Sequence, residues 1–208
     1  MRFYSVLRAG ARGLLKLLFR FSVVGSDRVP SDGGCLVAVN HISFWDPLIL
    51  ASAIRNRELV FLARQSLFSK PVVGFLLRRL HAVPVKRDGD DLAALRTMVK
   101  LLKEGNAVAI YPQGTRCPGV PVEETAFQSG AVFAASLASC PLIPVGVSTK
   151  KARIRLFRKV VCAFGTPMKI ASGRDRTMID ADTRTLKENI ARLTRVSSSS
   201  VRGGAACS

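Results

Sequence analysis

At 208 residues the chain has the length of one domain with a sizeable core, and not of two. Its 32 Lys and Arg outweigh 14 Asp and Glu to give a formal charge of +18, which points to a polyanionic partner: nucleic acid, an anionic membrane surface or an acidic carrier. Hydrophobic residues make up 48%, yet no conventional transmembrane helix is expected, and Arg8, Arg12, Lys16 and Arg20 interrupt the apolar N-terminal residues too often for a signal peptide.

Residues 1–24 read as a basic amphipathic helix, with those four cations spaced among Phe3, Leu7, Leu14, Leu17, Leu18 and Phe21. Such a helix either lies in a membrane interface or packs on the domain that follows. Strand-like apolar runs then occur at 35–39, 59–63, 82–85, 107–111, 142–147 and 160–164. Helical patterns fill the gaps at 47–55, 71–80, 91–104 and 129–139, and a last helix is expected over 177–196. In 91–104 the stripe Leu92, Leu95, Met98, Val99 and Leu102 is followed by Gly105, placed to end the helix. Short apolar strands alternating with amphipathic helices predict a single α/β domain over 25–196, its sheet mainly parallel or mixed and covered by helices.

Residues 68–80 end in Arg78 and Arg79 and offer a second membrane-surface segment, although Val72, Val73 and Leu76 are expected to pack in the core. The Ser/Gly-rich segment 197–208 is expected to be a disordered tail. The five cysteines (35, 117, 140, 162 and 207) are scattered and never spaced as Cys-x-x-Cys. With only two histidines, they argue against a metal site and for reduced thiols in a cytosolic setting.

Chemistry concentrates at Asn40-His41-Ile42-Ser43-Phe44-Trp45-Asp46. A strand over 35–39 delivers His41 to a loop at its carboxyl end, and the turn can bring Asp46 back to the imidazole. A carboxylate on one ring nitrogen sets the tautomer and leaves the other nitrogen to take a proton. Asp46-Pro47 before an apolar run also reads as a helix start, with Asp at the N-cap. A second loop, Tyr111-Pro112-Gln113-Gly114-Thr115-Arg116, follows the strand at 107–111 and opens on the same edge, where α/β sheets bind ligands. Arg116 offers a planar fork of donors for phosphate, Gly114 permits a tight turn, and Thr115 offers a hydroxyl. Lys86 and Arg87 add cations after a third strand.

Four blocks in this order resemble the glycerolipid acyltransferase family, of the 1-acylglycerol-3-phosphate acyltransferase type: 40–46, 83–87, 112–117 and 143–147, within roughly residues 25–170. The resemblance implies that His41 is the general base and Asp46 orients it. It implies that Arg116, Arg87 and Lys86 hold the acceptor phosphate, while Asn40, Gln113, Gly114, Thr115 and Pro144 shape the pocket, Pro144 on the donor side. An acyl thioester of coenzyme A or acyl carrier protein would donate directly to lysophosphatidate at the cytoplasmic face of the cell membrane, with no cofactor and no nucleic acid involved. No Gly-x-Ser-x-Gly elbow is present to suggest an acyl-enzyme.

Three positions depart from the family pattern. Gln113 stands where it has Glu, Cys117 where it has Ser, and Gln128 where it usually has Lys. These leave open another lysolipid acceptor, or a catalytically impaired membrane-bound homologue.

Overall fold

The computed structural model describes residues 2–85, 91–173 and 175–196, the side chains of 2–8 and 91 excepted. The helices are α1 (Arg2–Leu18), α2 (Asp46–Ala53), α3 (Pro71–Arg79), α4 (Asp91–Lys103), α5 (Gly130–Ala138) and α6 (Arg176–Thr194). The strands are β1 (Arg20–Val24), β2 (Cys35–Val39), β3 (Leu59–Arg64), β4 (Ala82–Val85), β5 (Ala107–Ile110), β6 (Leu142–Thr149) and β7 (Lys159–Phe164). They form one seven-stranded sheet in the order β1-β7-β6-β2-β5-β3-β4. β6, β2, β5, β3 and β4 are parallel; β7 runs antiparallel to β6 and carries β1 parallel to itself.

All five residues of β2 are buried, as a central parallel strand covered on both faces requires. Its alternate side chains enter two cores. Val37 and Val39 join Leu15 of α1, Phe19 just past its end, Ile49 and Leu50 of α2, and Phe164. Leu36 and Ala38 join Met98 and Leu102 of α4, Val132 of α5, and Leu186 and Ile190 of α6. Each fully buried side chain of this kind contributes roughly 1.5–3 kcal/mol. Gly146 lets the sheet approach α6: a Cβ there would lie 2.6 Å from Leu193 Cβ and 2.8 Å from the Thr194 nitrogen.

The local signals act as their chemistry dictates. Pro47 and Pro71 occupy the first turns of α2 and α3. Gly105, at φ +85°, turns the chain out of α4 while its amide bonds back to Leu102. Asp175 caps α6 by accepting from the Met178 amide at 2.8 Å.

Two expectations are corrected. Residues 20–24 continue the basic spacing of α1, but they form β1: the helix stops at Leu18, and Arg-Phe-Ser-Val-Val, rich in β-branched and aromatic residues, pairs with β7. Val72, Val73 and Leu76 do not enter the core. α3 buries only Gly74, which sits so close to the Phe68 carbonyl that a Cβ would be 2.3 Å away, and the rest of its apolar face is turned outward.

α1 packs on α2; Leu15, and Phe19 just beyond the helix, are buried, while Leu14 and Leu17 remain exposed. The longest run without Asp, Glu, Lys or Arg, 125–149, is divided between α5 and β6 by Cys140-Pro141. Among the described residues, no helix is long and apolar enough to cross a membrane. Segment 197–208 lies outside the described residues.

Candidate active site

β2 and β5 are adjacent and parallel, so the loops leaving them meet at one edge of the sheet. Asn40, the first residue past β2, is buried. Its Nδ2 donates to the Val147 carbonyl at 2.9 Å and its Oδ1 accepts from the Val147 amide at 2.7 Å. The side-chain amide thereby extends the β2–β6 ladder by one rung beyond Val39 and Val145.

The main chain of His41 is fastened at both ends to the β5 loop. Its amide donates to Gln113 Oε1 at 2.6 Å, and its carbonyl accepts from the Cys117 amide at 2.8 Å. Its Nδ1 lies 2.7 Å from Asp46 Oδ2. The same carboxylate oxygen accepts from the amides of Ile42 at 2.7 Å and Ser43 at 2.8 Å. Because a carboxylate only accepts, the network assigns the proton to Nδ1 and leaves Nε2 with a lone pair. Asp46 is fully buried, whereas the imidazole keeps 19% of its side-chain surface in solvent.

The helix-start reading of Asp46 is half right. α2 does begin there, but its N-terminus has no side-chain cap; the carboxylate turns back to the loop instead of forward to the helix amides. Its other oxygen, Oδ1, is buried and has no hydrogen-bond partner among the described residues.

Two residues not singled out for the site complete this shell. The Tyr111 ring stacks on the imidazole, with centroids 4.0 Å apart and planes at 23°. Its hydroxyl is buried without a hydrogen-bond partner among the described residues. Burial, and then the neighbouring Asp46 charge, push the Tyr111 pKa well above its usual value. Thr125 receives Gln113 Nε2 on its hydroxyl oxygen at 3.0 Å and donates its own proton to the Val122 carbonyl at 2.8 Å. Tyr111 carried a sequence signal as an aromatic at the strand end before Pro112; Thr125 carried none.

Gly114, at φ +69°, closes a turn whose amide bonds to the Tyr111 carbonyl at 3.0 Å. A Cβ at Gly114 would sit 2.9 Å from Gln128 Nε2, so Gln128 is packed on this turn. Thr115 and Arg116 are exposed. The Arg116 guanidinium carbon lies 3.3 Å above the Phe44 ring centroid, and among the described residues no carboxylate pairs with it. Arg116 thus stands over the His41 loop with its donors uncommitted to an acid.

Pro144 lies within β6, in the strand expected over 142–147. Its ring is turned towards Gly165, where a Cβ would approach it to 2.9 Å, and it belongs to the packing of the sheet on α6. Lys86 and Arg87 lie outside the described residues. Beside the His41 loop, a cleft of about 530 Å³ is bordered by Asn40, Ile42, Val147 and Thr149.

The Acyltransferase family model matches residues 20–148, a span running from β1 almost to the end of β6 and containing the whole His41–Asp46 loop. The chain belongs to the acyltransferase family. This acyltransferase is 30% identical over 156 residues to the 1-acyl-sn-glycerol-3-phosphate acyltransferase of Bacillus subtilis (strain 168), covering 75% of this chain and 76% of the relative. It is 28% identical over 180 residues to the enzyme of the same name from Streptococcus pneumoniae (strain ATCC BAA-255 / R6). That alignment covers 81% of this chain and 64% of the relative, so the chain spans just under two thirds of it. Among solved structures, the acyltransferase matches the 1-acyl-sn-glycerophosphate (LPA) acyltransferase PlsC from Thermotoga maritima with a TM-score of 0.67. The match covers 93% of this chain and 79% of that one at 21% identity, and establishes a common fold.

Proposed function

We propose that this acyltransferase moves a fatty acyl group from an acyl thioester of coenzyme A or acyl carrier protein to the free hydroxyl of 1-acylglycerol-3-phosphate, making phosphatidate. The observation that carries this reading is the 2.7 Å bond between His41 Nδ1 and the buried Asp46 carboxylate. Nε2 takes the proton of the acceptor hydroxyl as its oxygen attacks the thioester carbonyl. The tetrahedral intermediate collapses, the C–S bond breaks, and the departing thiolate recovers the proton from the imidazolium. One C–O bond replaces one C–S bond, so the balance calls for no cofactor beyond the donor. Base catalysis of this kind contributes about 10²–10⁴-fold, and Asp46 stabilises the transient imidazolium.

The names of the Bacillus and Streptococcus relatives support the acceptor. Arg116, held over Phe44, supplies a fork of donors for its phosphate, with Arg87 and Lys86 as further cations and Thr115 beside it. One observation favours a second reading, another lysolipid as acceptor: Gln128 packs on Gly114, two residues from Arg116, where the family pattern usually brings a Lys.

The enzyme would work at an anionic membrane surface, on the cytoplasmic face of the cell membrane, as a peripheral or monotopic protein. Supporting this, Leu17 and Phe44 are 75% and 77% exposed, and Trp45 meets Phe19 edge-on at 5.5 Å, joining the end of α1 to the His41 loop. Apolar groups of this kind insert at the interface, while the +18 charge attracts anionic lipid.

The test is thioester consumption by detergent-solubilised enzyme with both donor types and a lysolipid panel. Turnover with lysophosphatidate that disappears in His41→Ala supports the reading. Turnover only with another lysolipid moves the acceptor, and none with any pair in folded protein rejects the catalytic reading.

A further inference from the structure

Three strands carry cations to one row at the edge where β6 ends. Arg20 of β1 is in register with Lys159 of β7. Val160 of β7 lies opposite Thr149 of β6, so Lys150, one residue on, reaches the level of Lys159. Arg158 flanks the row. In-register neighbours project to the same side of a sheet, where like charges repel.

Among the described residues no acidic side chain offsets this repulsion. The four cations line a cleft of about 360 Å³ that has no acidic residue in its wall, and among the described residues none of them is ion-paired. The end of α6 reaches the cleft, but a helix terminus supplies only about half a negative charge against four positive ones.

The rest of the wall suits a phosphate ester. Ser148, in register with Val161 and so on the same face of the sheet as Lys159, adds a hydroxyl to the wall. Phe157, on the rim, leaves 71% of its surface exposed. Thr149 borders both this cleft and the one formed by Asn40 and Ile42, so the two spaces adjoin beside the His41 loop.

We infer that this cleft binds a phosphate ester at a position separate from Arg116. The inference rests on the acyl-transfer reading only for the choice of ligands. Beyond lysophosphatidate, two participants in that reaction carry such a group: the nucleotide end of a coenzyme A donor and the headgroups of the surrounding membrane lipids.

Binding of 3′,5′-ADP, measured by calorimetry, probes the first. Flotation with phosphatidylcholine vesicles, with and without phosphatidylglycerol, probes the second. Wild-type protein is expected to bind at least one, more weakly as salt rises. Arg158→Glu and Lys159→Glu, both at exposed positions, should each lower that affinity about tenfold with unchanged melting. Lys100→Glu, an exposed change of equal charge on α4, should leave it unaltered. Nucleotide binding that competes with acyl-coenzyme A assigns the cleft to the donor, and binding confined to anionic vesicles assigns it to lipid. Failure of both ligands to bind, or an equal effect of Lys100→Glu, overturns the inference. Because binding is read without turnover, an enzyme that transfers acyl groups while its cleft stays empty rejects the cleft alone. A protein that binds but never turns over rejects the acyl-transfer reading alone.

Discussion

The amide of His41 and the side chain of Gln113, 72 residues apart in sequence, are joined by a 2.6 Å hydrogen bond. Gln113 therefore ties the histidine loop to the loop after β5. Its second polar atom explains how an amide serves where the family pattern has a carboxylate. Nε2 needs an acceptor, and Thr125 provides one because its own proton is committed to the Val122 carbonyl.

On the proposed mechanism, Gln113→Ala should lower kcat about 10–100-fold with little change in KM, since it loosens the loop that holds His41. It should also destabilise the fold by about 1–3 kcal/mol, the range for leaving buried hydrogen-bonding groups unpaired. Gln113→Glu keeps the bond to His41 and requires only that Thr125 turn its hydroxyl, so kcat should stay within about tenfold of wild type. Steady-state kinetics and urea melts of the two variants check both statements.

Asp46→Asn tests the carboxylate separately from the histidine. One oxygen serves His41, Ile42 and Ser43; an Asn can keep its oxygen there, but it carries no charge for the imidazole and its NH2 is buried at the Oδ1 position, where the described residues offer no partner. The expected result is a loss of at least about 10²-fold in kcat, accompanied by about 1–3 kcal/mol in stability. A variant that melts like wild type and retains full turnover would remove Asp46 from the mechanism.

Tyr111 separates ring from hydroxyl. The hydroxyl makes no hydrogen bond among the described residues, so Tyr111→Phe should keep near-wild-type kcat, whereas Tyr111→Ala removes the stacked ring and should lower kcat about tenfold. The raised Tyr111 pKa also predicts a sign. Above about pH 10 the unfolded chain releases this proton while the folded one retains it, so wild-type stability falls with pH. Tyr111→Phe should show a shallower fall, measurable as the difference between urea midpoints at pH 9 and pH 11.

Cysteine reactivity should follow burial. Burial pushes up the thiols of Cys35, Cys140 (to about 11) and Cys162, whereas Cys117 is partly exposed. At pH 8 a thiol of pKa about 11 is roughly one part in a thousand thiolate, and only thiolate reacts. Brief alkylation followed by peptide mapping should label Cys117 before Cys35, Cys140 and Cys162.

The legible parts of this fold are those whose surroundings are uniform. Cys35–Val39 reads as a strand because both of its faces meet a core, and apolar residues at all five positions follow directly. β1 was hidden by Arg20, which falls into step with Arg8, Arg12 and Lys16, although it faces out from a strand edge. The outward face of α3 is not legible, because apolar spacing specifies a stripe but not what covers it. The His41–Asp46 pair is a local matter of five residues and could be anticipated. The support from Gln113, Thr125 and Tyr111 arises only when two loops from adjacent strands are brought together, a relationship that spacing along the chain does not encode.

Asn40 carries in its side chain the same CONH unit that forms every peptide link, and it offers that unit to Val147 with both donor and acceptor engaged. To β6 the neighbouring strand has one more residue than the backbone of β2 supplies. The main chain is thus released from the sheet one position early, just where His41 must swing out to meet Asp46. An aspartate of nearly identical shape would face the Val147 carbonyl oxygen with another oxygen, so at this junction isosteric replacement and functional replacement part company.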